Sequence, residues 1–265
     1  MRMRVMDDRD IAGGDKKARR QAQLLSHLET NHYISIEEIT GLFGVTTQTA
    51  RRDIMALEQE GKVRRLHGGA TIATPVDPNI YRQRRIDNAE LKERIGQLTA
   101  ELVADGAAVF LDTGTTCEAV ARGLLKRRDL RVVTYSLRVA TTLSESSSFA
   151  VAVPGGFVRQ VDAGVFREET ADYIRKFKFD VAIISVSGID QDGDIGDDDH
   201  AEVAAVSAAM RQAERVILAV DSSKFGRRAL VRLASLADID ALVTDRLPDE
   251  QIVALLREHG VSVHC

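Results

Sequence analysis

The 265-residue chain carries 36 Lys and Arg against 40 Asp and Glu, a formal charge of −4, and is long enough for a small domain beside a larger one with its own core. Its two cysteines, Cys117 and Cys265, argue against a disulfide scaffold, lack the Cys/His clustering of a structural zinc, and point to a reducing, cytoplasmic setting. No run of 18 apolar residues and no leading signal pattern occurs, so neither membrane insertion nor export is expected. The charge is uneven: residues 1–70 hold 12 Lys and Arg against 10 acidic residues, and residues 71–265 hold 24 against 30. An acidic body repels nucleic acid, so any such contact belongs to the N-terminal module.

Residues 1–15 mix charge and glycine without periodicity and read as a flexible tail. From Arg19 to Leu28, Ala22, Leu24, Leu25 and Leu28 recur at helical spacing. Ser35-Ile36-Glu37-Glu38 is a capping box opening a second helix with Ile36, Ile39, Leu42 and Phe43 as its apolar residues, and Gly44 makes the turn that follows. Thr46 or Thr47 can cap a third helix, in which Ala50, Ile54 and Leu57 form one narrow apolar face, and Gly61 supplies a left-handed stop. Thr47, Gln48, Thr49, Arg51 and Arg52 stand near its N-terminal end, where a recognition helix meets base edges and phosphates. Arg64 and Arg65 precede His67-Gly68-Gly69, a tight turn between strand-like residues, and with His67 form a basic β-wing. An isolated Arg-Arg pair is usually just solvated. Three short helices and a hairpin over residues 16–72 instead read as a winged helix-turn-helix, with double-stranded DNA as partner.

Two prolines mark a linker at residues 73–80, and residues 81–265 form the second domain. The pattern predicts one helix from Tyr81 to Val103, with Arg82, Arg84, Arg85, Glu90, Lys92, Glu93 and Arg94 on a solvated face. Strand-like runs then fall at Ala107–Leu111, Leu130–Thr134, Phe149–Val153, Phe179–Val186, Val216–Val220 and Ala241–Thr244. Helical stretches separate them at 115–126, 137–145, 166–176, 200–213 and 248–258. Continuous apolar strands alternating with helices predict an α/β, Rossmann-like parallel sheet covered on both faces, with ligands at the carboxyl ends of its strands.

Asp112 ends one such strand, Gly114 lets a ligand approach the backbone, and Thr115 or Thr116 can cap the next helix, an arrangement that favours a phosphate. The absence of G-x-x-x-x-G-K-[ST] argues against a nucleoside triphosphate. Gly155-Gly156 follows the third strand, and Lys224 sits on a polar turn after the fifth, where its charge can meet a phosphate or sugar oxygen. Asp197, Asp198 and Asp199 lack EF-hand spacing and read as a solvated acidic loop, with Glu202 alone facing the pocket. No metal or cofactor is expected. A sugar-phosphate isomerase would need a general base, for which Lys224 or Glu202 are the candidates. His200 is the one histidine near a strand end and no paired carboxylates stand at catalytic spacing, so a sensor is favoured over an enzyme and no catalytic residue is assigned.

Thr49-Ala50-Arg51-Arg52-Asp53 and Arg65-Leu66-His67-Gly68-Gly69-Ala70 together resemble the DeoR family of bacterial transcriptional regulators. The resemblance extends through L-D-T-G-T-T at 111–116, the Gly155-Gly156 pair, S-G-I-D at 187–190 and D-S-S-K-F-G at 221–226. It implies a repressor that binds operator DNA and is released by a phosphorylated small molecule, glycerol 3-phosphate or a sugar phosphate. It also implies a sensor domain similar in fold to ribose-5-phosphate isomerase. Effector contacts are implied at Asp112, Gly114, Thr115, Thr116, Gly155, Gly156, Glu202 and Lys224. Three positions depart from the family pattern: Ala50 stands for the usual Ile, Tyr135 for Asn and Val206 for Lys. The last two bear on which sugar phosphate is bound. One short recognition helix buries too little to select a genomic site, so a homo-oligomer, dimer or tetramer, is expected.

Overall fold

A computed structural model describes residues 8–31, 33–59, 62–66, 69–72, 78–166 and 169–265, in two compact units divided between Val76 and Asp77. The first unit comprises α1 (Asp8–Asn31), β1 (Tyr33–Ser35), α2 (Ile36–Phe43), α3 (Thr47–Gln59), β2 (Val63–Leu66) and β3 (Gly69–Ile72). Ser35 Oγ accepts from Glu38 N at 3.1 Å and Ser35 N donates to Glu38 Oε2 at 2.7 Å, the reciprocal pair that starts α2. Gly44 ends that helix at φ 60, where a side chain would be strained. Thr46, rather than Thr47, caps α3 by accepting from Thr49 N at 3.2 Å. Ala50, Ile54 and Leu57 then face a core of Leu24, Leu28, Ile34, Ile39, Val63 and Ala70, all buried. Leu42 does not join that core and is 58% exposed.

Two expectations need correction here. Helix occupies residues 8–15, assigned above to a tail, because α1 continues N-terminal to its packed turns. Hydrophobic periodicity detects packed turns and is blind to the extension. The hairpin of β2 and β3 gains a third antiparallel strand, β1, in the order β1-β3-β2. Gly61 and His67 lie outside the described residues.

The second unit begins with α4 (Pro78–Ile86) and α5 (Ala89–Glu101). Pro78 opens α4, a position that needs no N–H, so the helix starts inside the expected linker. The single helix expected over 81–103 is broken at Asn88, whose φ of 55 is left-handed. There follow β4 (Ala108–Leu111), α6 (Thr115–Leu124), β5 (Arg131–Val133), α7 (Leu137–Ser146) and β6 (Ala150–Ala152). Next come the strand pair β7 (Phe157–Val158) and β8 (Val165–Phe166), α8 (Thr170–Ile174), β9 (Phe179–Ile184), β10 (Gly188–Ile189) and β11 (Asp194–Asp197). The chain closes with α9 (His200–Met210), β12 (Ala213–Ala219), β13 (Val231–Ser235), β14 (Ala241–Val243), α10 (Glu250–Glu258) and β15 (Ser262–His264).

Seven strands form one sheet in the order β15-β14-β12-β9-β4-β5-β6, parallel throughout. Alternate residues of each strand enter opposite cores. Val109, Leu111, Ile183 and Ile217 pack with Ile95 of α5, Val120 of α6 and Val139 of α7. Phe110, Ala182, Ile184 and Leu218 pack with Ile174 of α8, Ala205 of α9 and Ile252 of α10. The sheet is therefore covered on both faces, and its carboxyl edge gathers the loops after β4, β5, β6, β9 and β12. A small antiparallel sheet, β10-β11-β13, stands apart from it. Among the described residues no helix is long and apolar enough to cross a membrane.

Candidate functional site

In the first unit, burial of one face of α3 fixes which side is presented outward. Thr47, Gln48, Arg51 and Arg52 are exposed and Thr49 is half-buried, its hydroxyl 3.0 Å from that of Thr46. Asp53, next to the arginine pair, is turned inward. It is 2% exposed and accepts from Arg20 Nε at 2.6 Å and Gln21 Nε2 at 3.3 Å, tying α3 to α1. Arg51 and Arg52 thus stand outward while their acidic neighbour is spent on the core. Arg64 and Arg65 lie in β2.

In the second unit, the turn after β4 carries Gly114 at φ 107, ψ 164, a conformation that favours glycine. Thr115 and Thr116 do not cap α6, contrary to expectation: no side chain caps it, and both threonines are buried within its first turn. A helix start without a side-chain cap leaves backbone amides for an anion. Asp112, for which the resemblance implies an effector contact, is 2% exposed. Its Oδ1 accepts from the Tyr135 hydroxyl and, at 2.8 Å, from Thr113 N, and its Oδ2 accepts from Ser185 N at 3.2 Å. Burial pushes its carboxyl up to about 7, and these hydrogen bonds oppose the shift. Asp112 thereby joins the ends of β4, β5 and β9.

The acidic loop is not merely solvated. Asp197 accepts from Ser187 Oγ at 3.1 Å, Asp198 pairs with Arg227 at 3.2 Å, and Asp199 caps α9 through Ala201 N at 2.8 Å. Glu202, in the first turn of α9, pairs with Arg159, which also holds Asp199 at 3.0 Å and Asp162 at 2.8 Å through Nε. Burial, with Asp197 and Asp112 nearby, drives the Glu202 carboxyl well above its usual range. Lys224 closes a 3-10 turn capped by Asp221, and burial with Arg84 and Arg227 lowers its ammonium to about 8. Gly155 and Gly156 are exposed beyond the edge strand β6, two strands removed from β4. His200 is exposed. Among the described residues no group of three or more His, Cys, Asp or Glu could hold a metal ion.

Three residues assigned to a solvated face or passed over belong to this region. Arg84 acts electrostatically on Lys224 and Asp197. Lys92 is 7% exposed and donates to the carbonyls of Arg84 at 2.5 Å and Asp87 at 2.7 Å. Glu118, 3% exposed, accepts from the Tyr81 hydroxyl at 2.7 Å and pairs with Arg85 at 3.0 Å. Lys92 at least carries a signal, since it falls one turn from Ile95 on the inward side.

An exposed arginine pair on the third helix of a winged helix-turn-helix, joined in one chain to a parallel-sheet domain with an uncapped helix start at its carboxyl edge, defines a class of two-domain DNA-binding regulators. Residues 20–76 match the DeoR-like helix-turn-helix domain and residues 87–246 the DeoR C terminal sensor domain. The chain belongs to the DeoR family. It is 36% identical over 248 residues to the glycerol-3-phosphate regulon repressor of Escherichia coli strain K12, covering 94% of this chain and 98% of that one. It is 35% identical over 244 residues to the transcriptional repressor CsqR of the same strain, covering 92% and 94%. A structure of ribose 5-phosphate isomerase A from Methanocaldococcus jannaschii is similar over 52% of this chain and 55% of that one, at 15% identity and a TM-score of 0.40. That likeness bears on no chemistry.

Proposed function

We propose that the chain is a transcriptional repressor that acts in the cytoplasm as a homo-oligomer and binds operator DNA through α3 and the β2–β3 wing. Base reading is assigned to Thr47, Gln48, Thr49, Arg51 and Arg52, and phosphate contact to Arg64, Arg65 and His67. The outward Arg51-Arg52 pair beside an inward Asp53 is the observation that carries the DNA reading. A phosphorylated small molecule releases the DNA, with its phosphate at the Gly114–Thr116 helix start and Lys224 adding charge. Glycerol 3-phosphate is the first ligand to try, because the relatives regulate that regulon by name. Asp112 supports the loops from beneath, and Glu202 faces the pocket while held by Arg159. Gly155 and Gly156 complete its outer rim.

Selection from a random DNA pool with the purified chain yields the operator, and fluorescence anisotropy then follows its release by glycerol 3-phosphate, ribose 5-phosphate and fructose 6-phosphate. One of these should weaken operator binding by roughly 5- to 150-fold, the usual range of such coupling. Failure to select any sequence would remove the DNA reading, and selection without release by any phosphate would remove the effector reading. Glu202 is engaged by Arg159 and so is poorly placed as a general base. Conversion of ribose 5-phosphate to its ketose isomer, followed by NMR and lost in Lys224→Ala, would establish an enzyme instead.

A further inference from the structure

Glu118 is the fourth residue of α6, on the first turn of the helix whose start is the proposed phosphate site. It is a carboxylate with 3% exposure, and its partners come from other elements. From α4, Tyr81 donates to Oε1 at 2.7 Å and Arg85 approaches Oε2 at 3.0 Å. From α7, Arg138 stands 3.8 Å away, with its guanidinium carbon 5.1 Å from the centre of the Tyr81 ring. A buried carboxylate is tolerated while such partners stay in place, so α4 is clamped to the first turn of α6. The clamp is stiff behind as well. Lys92 holds the end of α4 to α5, and α5 meets α6 backbone to backbone, where a Cβ on Gly96 would stand 2.5 Å from Ala119 O.

We propose that Glu118 and Tyr81 are positioning residues that pass effector occupancy at the start of α6 to α4, the first helix after residues 73–77 in the chain leading from the DNA-binding unit. The proposal rests on the effector reading given above. A phosphate dianion at the helix start places a second anion about one helical turn, some 5.4 Å, from Glu118. Both anions then draw on Arg85 and Arg138. Glu118 cannot be left unpaired in its buried place, so α4, which carries Tyr81 and Arg85, shifts to follow the new balance. A ligand changes an equilibrium only through such a difference between two states.

The test is the coupling factor, the ratio of effector Kd with and without saturating operator, measured on the full chain with glycerol 3-phosphate, ribose 5-phosphate and fructose 6-phosphate. Tyr81→Phe and Glu118→Gln are compared with wild type, and thermal unfolding identifies any variant that fails to fold. Folded variants should keep operator affinity without ligand, and ligand affinity without DNA, each within roughly threefold, while the coupling factor falls by more than that. Weakened ligand binding alone would lower affinity and leave the ratio in place. If wild type couples and the folded variants couple as strongly, the clamp does not transmit and this proposal falls alone. If wild type is released by none of the three phosphates, the effector reading falls and the proposal with it.

Discussion

The carboxyl of Asp112 receives hydrogen bonds from Tyr135, Thr113 and Ser185, and burial lifts its pKa to about 7. In the unfolded chain an aspartate titrates near 3.9. Between those values the folded state keeps a proton that the unfolded chain has released. Its contribution to stability is therefore fully present below about pH 4 and lost as pH rises towards 7, at about 1.4 kcal/mol per pH unit within that window. Asparagine does not titrate, so the stability advantage of wild type over Asp112→Asn should shrink between pH 5 and pH 8 in urea unfolding. A gap that stays constant would mean that Asp112 is ionised throughout. On α3 the expectation concerns specificity. Arg51→Ala or Arg52→Ala should cost roughly 1–3 kcal/mol of operator binding and relax base preference, whereas Arg64→Ala should weaken all sequences alike. If both helix variants keep affinity and preference, α3 is not the reading helix.

At the scale of elements, two glycines predict changes of opposite sign. A Cβ on Gly96 would stand 2.5 Å from Ala119 O, where backbone cannot yield cheaply, while one on Gly41 of α2 meets nothing within 4 Å. Gly96→Ala should destabilise the second unit by about 1–3 kcal/mol, and Gly41→Ala should stabilise the first by up to about 1 kcal/mol through helix propensity. Calorimetry that finds Gly96→Ala harmless would show that α5 and α6 can part. The elements legible in the sequence are those whose signal is local: the Ser35 capping box, the Ala50-Ile54-Leu57 face and the buried runs of β4, β9 and β12. β15 has one strongly apolar residue, Val263, between Ser262 and His264, and β1 is three residues between two helices, so neither has a period to detect. The break at Asn88 is a single backbone angle inside an unbroken helical pattern. Of the candidate site, the glycine-favouring turn at Gly114 was legible from backbone chemistry, and the side-chain roles that long-range pairing decides were not. Charged type alone placed Arg84, Arg85 and Lys92 on a solvated face; Arg84 and Arg85 are indeed exposed, but only the fold buries Lys92 against the carbonyls of Arg84 and Asp87 and sets Arg85 beside Glu118.

For the whole molecule, charge and symmetry set the terms of DNA binding. Residues 1–70 carry a small positive excess within a chain of net charge −4, so few phosphates can be neutralised per subunit. The slope of log affinity against log salt, about −0.9 for each phosphate neutralised, should be correspondingly shallow for one subunit and double for a symmetric pair. In the proposed homo-oligomer a second copy would supply the second recognition helix, and its geometry would leave a mark on the operator. Half-sites read from one face of the duplex lie about one turn, 10–10.5 base pairs, or a multiple of it apart. Inserting about five base pairs between them turns the second half-site to the far side and should reduce affinity towards that of a single half-site. Inserting about ten should restore much of the loss, because the faces align again. Anisotropy titrations on the three operators, with sedimentation of the free chain and of the complex, measure both halves of this expectation. A chain that sediments as a monomer on and off DNA, with affinity indifferent to spacing, would bind as a single reader, and the symmetric pair would have to be given up.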